Sequence, residues 1–282
     1  MSRVINGAAN VREATRLTVL RVIEQLGYRP SHLAAALSRG TPRTVAIVVP
    51  HLTQPSAVER LAGALEVLGE HGYDTVICHV ENAAQRDHHL SALTARHRAD
   101  GVIVVSLQLT REQLAAFRKA GIPLVTVDVR AAGVPQTLTD DVAGGRLAAA
   151  HLISLRHRRI GFIGDGVTGD GHPGGRAAAA ASAGLGFGSS RRRLEGLRLE
   201  LAAAGLALDP QLVRLGSHGA APAAELAAQL LALPQRPTAV FAASDTQAIG
   251  VLSAADQAGL SLPGELSVIG FDDIEADRKS VV

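Results

Sequence analysis

The chain has no tryptophan, one cysteine, two tyrosines and five phenylalanines in 282 residues. With so little aromatic bulk, the core must be built from Ala, Val, Leu and Ile, which suits helices packed on buried parallel strands. The lone Cys78 excludes an intramolecular disulfide and a cysteine-based zinc cluster, and fits a reducing compartment. Lysine occurs only at Lys119 and Lys279; arginine carries the positive charge, a pattern we ascribe to a GC-rich genome. The N-terminus has no apolar signal core, and no apolar run reaches the roughly 18 residues of a spanning helix. The expectation is a cytoplasmic protein without a membrane partner. No HExxH, GxSxG or paired-cysteine spacing is present, so no enzymatic activity, metal or cofactor is expected. His88, His89 and His97 lie on a charged helix face and read as solvated.

What is present is uneven. In residues 1–40 six arginines oppose Glu13 and Glu24, a local charge of +4 in a chain whose total is +2. A basic end on a mildly acidic body suits contact with a polyanion at that end. Arg12 to Leu26 has the helical stripe Val19, Val22, Ile23 and Leu26, with Gly27 at the C-cap position. Pro30 stops it, and Ser31 can cap a short apolar helix through Ser38 that is marginal in isolation. A forty-residue module with one good helix has too thin a core to stand alone.

From Thr44 the pattern becomes a regular alternation. Apolar β runs at Val45 to Val49, Asp74 to Cys78, Gly101 to Val105 and Pro123 to Val127 are separated by helices of ten to fifteen residues. The series resumes with strands at Ile160 to Ile163, Leu212 to Leu215, Ala239 to Ala242 and Leu266 to Ile269. Such alternation means βαβ units and parallel sheets. The expected fold is α/β, two lobes facing across a ligand cleft, behind a partial all-α headpiece. We place the boundaries at 1–42 for the headpiece and hinge, 43–157 for the first lobe and 158–282 for the second. The glycine-rich stretch 165–188 reads as a mobile loop at the cleft rim; it lacks both the P-loop and the dinucleotide spacing.

With these pieces placed, the chain resembles the LacI/GalR family of bacterial transcription repressors. Ser2-Arg3-Val4-Ile5-Asn6 is similar to the end of the family's recognition helix, and Leu26-Gly27-Tyr28-Arg29-Pro30 to the turn after its third helix. Ser31 to Leu37 looks like the hinge helix. Asp140-Asp141-Val142-Ala143-Gly144-Gly145, His157-Arg158-Arg159-Ile160, Ala243-Ser244-Asp245 and Gly270-Phe271-Asp272-Asp273 match the effector domain. The resemblance implies a periplasmic-binding-protein-like effector domain and a homodimeric repressor on a palindromic operator, governed by a small molecule, expected to be a sugar. It also implies that the chain begins inside the recognition helix and stops before the second lobe is complete, so that alone it should bind specific DNA poorly or not at all.

Carried over residue by residue, the resemblance places Ser2, Arg3, Asn6, Tyr28, Ser31, His32, Ala34 and Leu37 at DNA, with Leu37 as a minor-groove wedge that unstacks base pairs. It places Asp128, Arg193 and Asp272 at the effector, where carboxylates and a guanidinium suit vicinal hydroxyls. Ser244 and Asp245, at a strand end that opens a helix, and His51 and Gln54, after the first strand, complete the candidate cleft. Phe162, Phe187 and Phe271 remain as ring platforms. Duller roles stay open: Asp128 as a strand-end turn former, Asp272 as a loop cap, Arg193 as a surface residue. The alternative function is a sugar-binding protein of the same two-lobe fold that never touches DNA.

Overall fold

A computed structural model describes residues 4, 11–26, 43–50, 52–96, 98–166 and 188–274. The chain divides into two units, Met1–Arg43 and Thr44–Val282. In the first, helix α1 (Glu13–Gln25) forms where the stripe predicts it, yet none of its residues is buried. Val19 and Ile23 are half-buried, while Leu17, Val22 and Leu26 are exposed. Arg29, Pro30 and the hinge segment lie outside the described residues.

The second unit contains two parallel sheets. The first follows the order β2-β1-β3-β4-β5, with β1 (Thr44–Pro50), β2 (Asp74–Val80), β3 (Gly101–Val105), β4 (Leu124–Val127) and β5 (Gln136–Thr137). Strand β1 lies inside the sheet between β2 and β3, and it is apolar from Val45 to Pro50 because both its faces are covered. Ala46 and Val48 point to a core shared with α3 (Ala83–Arg96) and α4 (Arg111–Ala120); Ile47 and Val49 point to Ala57 and Leu61 of α2 (Pro55–Glu70). Helix α4 is fixed at both ends, by a Thr110–Gln113 capping box and by Gly121 in the left-handed region.

The second sheet runs β7-β6-β8-β9, from β6 (Ile160–Asp165), β7 (Val213–Gly216), β8 (Ala239–Ala242) and β9 (Ser267–Ile269). Ile160 and Phe162 face one core, Ile163 the other. One expectation needs correction. Helix α5 (Asp141–Ser154), assigned above to the first lobe, packs on α6 (Gly188–Ala203) and shares the core of Phe162 and Phe241. It therefore belongs with the second sheet, and the crossover between lobes comes before Asp141 rather than at 157. Ala148, Ala149 and Leu152 are buried in the core that Leu194, Leu197, Phe162 and Phe241 share.

The α5–α6 contact is backbone to backbone. A Cβ on Gly145 would fall on the Arg193 carbonyl group, and one on Gly196 would come within 2.8 Å of the Arg146 nitrogen. Two facing glycines let the helices approach closely enough for their first turns to share side chains. Helices α7 (Ala220–Leu231) and α8 (Asp245–Gln257) cover the opposite face of the sheet. Among the described residues no helix is long and apolar enough to cross a membrane.

Candidate functional site

The carboxyl ends of the two sheets open into a shared cleft of about 830 Å³, including the solvent at its mouth. The first lobe contributes Val49 and Pro50 at the end of β1, the first turns of α2, and Ser106 and Asp128 just beyond β3 and β4. Both Ser106 and Asp128 have positive φ, 52° and 62°. That strained turn aims each side chain along the strand axis into the cleft. The second lobe contributes Asp165, Arg193, His218, Ser244 and Asp272.

At the base of the second lobe lies a buried ion cluster. Asp141 opens α5 with its side chain 3% exposed, and its two oxygens divide two adjacent arginines of α6. Oδ1 accepts from Arg193 Nε at 3.0 Å; Oδ2 accepts from Arg192 Nε and Nη2 at 3.0 and 2.7 Å. Arg193 Nη1 donates to the carbonyl of Ala243, and its guanidinium carbon stands 3.5 Å from the centroid of the Phe271 ring. Such a charge is tolerable in the interior because it is paired and its donors are used.

Arg193 Nη1 is 3.9 Å from Asp272 Oδ1, too far for a hydrogen bond. Among the described residues no donor reaches the Asp272 carboxylate, although its side chain is only 12% exposed. Burial pushes its pKa up from 3.8 to about 6, against the pull of Arg193, Arg60 and His218. Its φ of 125° holds it in this position. A half-buried acceptor that no described donor reaches is one that a hydroxyl-bearing ligand would complete.

Two further carboxylates are satisfied within the protein. Asp128 takes Arg60 Nε at 2.6 Å and the Ser106 hydroxyl at 3.3 Å. Asp165 Oδ1 accepts from Gln247 Nε2 and from His218 Nδ1, both at 3.0 Å. Burial opposes a charge on His218, but that hydrogen bond, the charge of Asp165 and Asp272 beyond it hold its pKa above the ordinary histidine value. Gln247 is itself fixed by Ser244, whose hydroxyl donates to its side-chain oxygen at 3.2 Å.

Of the expected effector residues, the structure brings Gln54, Asp128, Arg193, Ser244 and Asp272 to one cleft. Asp245 does not line it. It is 2% exposed and its carboxylate accepts from the Ile274 backbone at 2.9 Å, tying the segment after β9 to α8. His51 and the expected DNA residues Ser2, Arg3, Asn6, Tyr28, Ser31, His32, Ala34 and Leu37 lie outside the described residues, as does Phe187. Phe162 is buried edge-on against Phe241 and the face of Phe271 is occupied by Arg193, so neither offers a ring platform. Sequence reasoning missed Arg60, Ser106, Asp141, Asp165 and His218. Ser106 and Asp165 end strands, a signal that was available; Arg60 and His218 carried none.

Residues 1–31 match the bacterial regulatory proteins of the lacI family, and residues 149–281 a periplasmic binding protein-like domain. The HTH-type transcriptional repressor PurR of Photobacterium profundum is 30% identical over 281 residues, covering 98% of this chain and 78% of that protein. The chain belongs to the LacI family. PurR of Actinobacillus pleuropneumoniae serotype 3 is 31% identical, over 99% of this chain and 78% of the relative. Among solved structures of LacI-type regulators, a CelR–cellobiose complex is 29% identical over 97% of this chain and 78% of that one, with a TM-score of 0.68. A regulator from Enterococcus faecium with bound ribose matches the fold at TM-score 0.70 and 24% identity, covering 84% of this chain and 80% of that one. The LacI-family fold thus places its lobes as the alternation of strands and helices predicts.

The raised pKa of Asp272 has a measurable consequence. The folded protein holds the Asp272 proton more tightly than the unfolded chain, so this group's contribution to stability is fully present below pH 3.8 and lost as pH rises through about 6. Asp272→Asn should therefore be more stable than wild type at pH 7.5, by up to about 3 kcal/mol, with the gap closing toward pH 4. Urea unfolding across that range checks it; a gap independent of pH contradicts it.

Proposed function

We propose that this LacI-family chain is a repressor whose hold on a palindromic operator is set by a sugar bound between its lobes. The supporting observation is Asp272, a half-buried carboxylate that no donor among the described residues reaches, beside the fixed guanidinium of Arg193 and sharing the cleft with Asp128. The remaining walls are small and aliphatic (Val49, Ala57, Val105, Val129, Ala243), and no Phe, Tyr or Trp lines the cleft among the described residues. A hydroxylated ring would find the carboxylates of Asp128 and Asp272 as acceptors, and the imidazole of His218 is the one ring among the described lining residues. A relative's complex with cellobiose supports the same class of ligand.

Ligand binding across both lobes favours the closed arrangement over the open one, and that shift is the means by which the sugar would act on the headpiece. DNA contact is assigned to the arginine-rich first forty residues, with Leu37 as the wedge. The competing reading, a sugar-binding protein without DNA, is disfavoured by the match of residues 1–31 to the lacI family.

Isothermal titration with cellobiose, ribose and sucrose tests the site. At least one should bind, and Arg193→Ala should weaken it about tenfold or more; no binding by any hydroxylated ligand would sink the reading. A gel shift should show specific, salt-sensitive operator binding that the same sugar alters.

An apolar stripe on α2 supports the reading of a homodimer. Val58, Ala62 and Leu65, spaced i, i+4 and i+7, are exposed beside Val76 and Ile77 on the edge strand β2. An uncovered edge and stripe of this kind are suited to a symmetric contact with a second copy. Leu65→Glu should convert a dimer to a monomer in light scattering behind gel filtration; a monomeric wild type overturns the assignment.

A further inference from the structure

The N-terminus of α2 in the first lobe and that of α8 in the second both open on the cleft, and a side-chain hydrogen bond spans the gap between them. The Thr246 hydroxyl donates to Gln54 Oε1 at 3.3 Å. Neither residue is needed for local capping. Gln54 occupies the N-cap position of α2, but its side chain makes no cap hydrogen bond, and glutamine is not among the residues that cap helices well. Thr246 is the second residue of α8, where Ser244 already serves as the cap by accepting from the Gln247 backbone. Each polar group is thus left over from its own helix and used across the lobes. Gln54 and Ser244 also line the cleft, so the bond lies at its rim and not on a remote surface.

We propose that Gln54 and Thr246 are a positioning pair, an interlobe latch that holds the cleft closed and sets how often it opens to admit the effector. A second attraction acts in the same direction: Arg60 of the first lobe exerts its charge on Asp272 of the second. Opening separates both pairs, and closing restores them. Gln54, expected from sequence to touch the ligand, acts instead chiefly on the opposite lobe. The latch is a single neutral hydrogen bond, so cutting it biases the equilibrium by a modest factor and does not abolish closure.

The latch rests on the reading of this cleft as the effector site, and its test is carried out without ligand so that the two can fail separately. Hydrogen–deuterium exchange of the full chain is followed in peptides covering 45–60 and 243–248. Gln54→Ala and Thr246→Val should each speed exchange there about two- to tenfold. The double variant should be no faster than the faster single one, and Thr246→Ser, which keeps the hydroxyl, should behave as wild type. Unchanged exchange in both single variants overturns the latch, as do effects that multiply in the double variant or a Thr246→Ser as fast as Thr246→Val. Absence of sugar binding in the titration above would remove the effector reading while leaving this exchange result as it stands.

Discussion

One carboxylate organises the second half of the cleft. Asp141 gives one oxygen to Arg193 and the other to Arg192, and it does so from the first residue of a helix whose N-terminal dipole favours negative charge. The pairing is possible because Gly145 and Gly196 let α5 and α6 touch backbone to backbone. It fixes the guanidinium of Arg193 between the Ala243 carbonyl and the ring of Phe271, and so determines what lies beside Asp272. A partnerless arginine at this depth would carry a desolvation cost of several kcal/mol, and so would a partnerless Asp141. The cluster is therefore a unit: its members are tolerable together and costly singly.

The first lobe is built differently. Its polar groups sit at strand ends in positive-φ turns, where Ser106 and Arg60 meet on Asp128. The second lobe adds a paired cluster around Asp141, and positive-φ backbone places Asp128 in the first lobe and Asp272 in the second. The contrast bears on regulation. A ligand that engages Asp272 on one side and Asp128 on the other gains its full contacts only when both lobes are close. Its differential affinity for the closed arrangement is then the quantity that a regulator of this family can transmit.

The fold was legible in the sequence because parallel strands covered on both faces leave continuous apolar runs such as Val45 to Val49, and these alternate with helices on both sides of the glycine-rich stretch 165–188. Strand and helix limits fell within a few residues of the observed ones; β9, for example, starts at Ser267 and not Leu266. The lobe boundary was not legible, because an amphipathic helix does not announce which sheet it will cover; only the packing of Ala148, Ala149 and Leu152 decides that α5 belongs to the second. Asp128, Arg193 and Asp272 were all proposed through the family resemblance, and the structure brings them to one cleft. Asp141 was quoted as part of a motif without its role, since a helix-opening aspartate usually serves the helix alone. His218 and Arg60 were invisible because their partners, Asp165 and Asp128, are distant in sequence. Asp245 misled for the converse reason, as a carboxylate beside the site that turns inward to the Ile274 backbone.

The central claim is that Asp141 and Arg193 act together to form the effector site. Calorimetric titration of the sugar that binds, carried through a cycle of wild type, Asp141→Asn, Arg193→Ala and the double variant, tests it most directly. Each single change should cost about tenfold or more in affinity, and the double variant should lose no more than the worse single one. Losses that multiply, or an Asp141→Asn variant that binds as wild type, would show that Arg193 does not depend on Asp141 and would contradict the account.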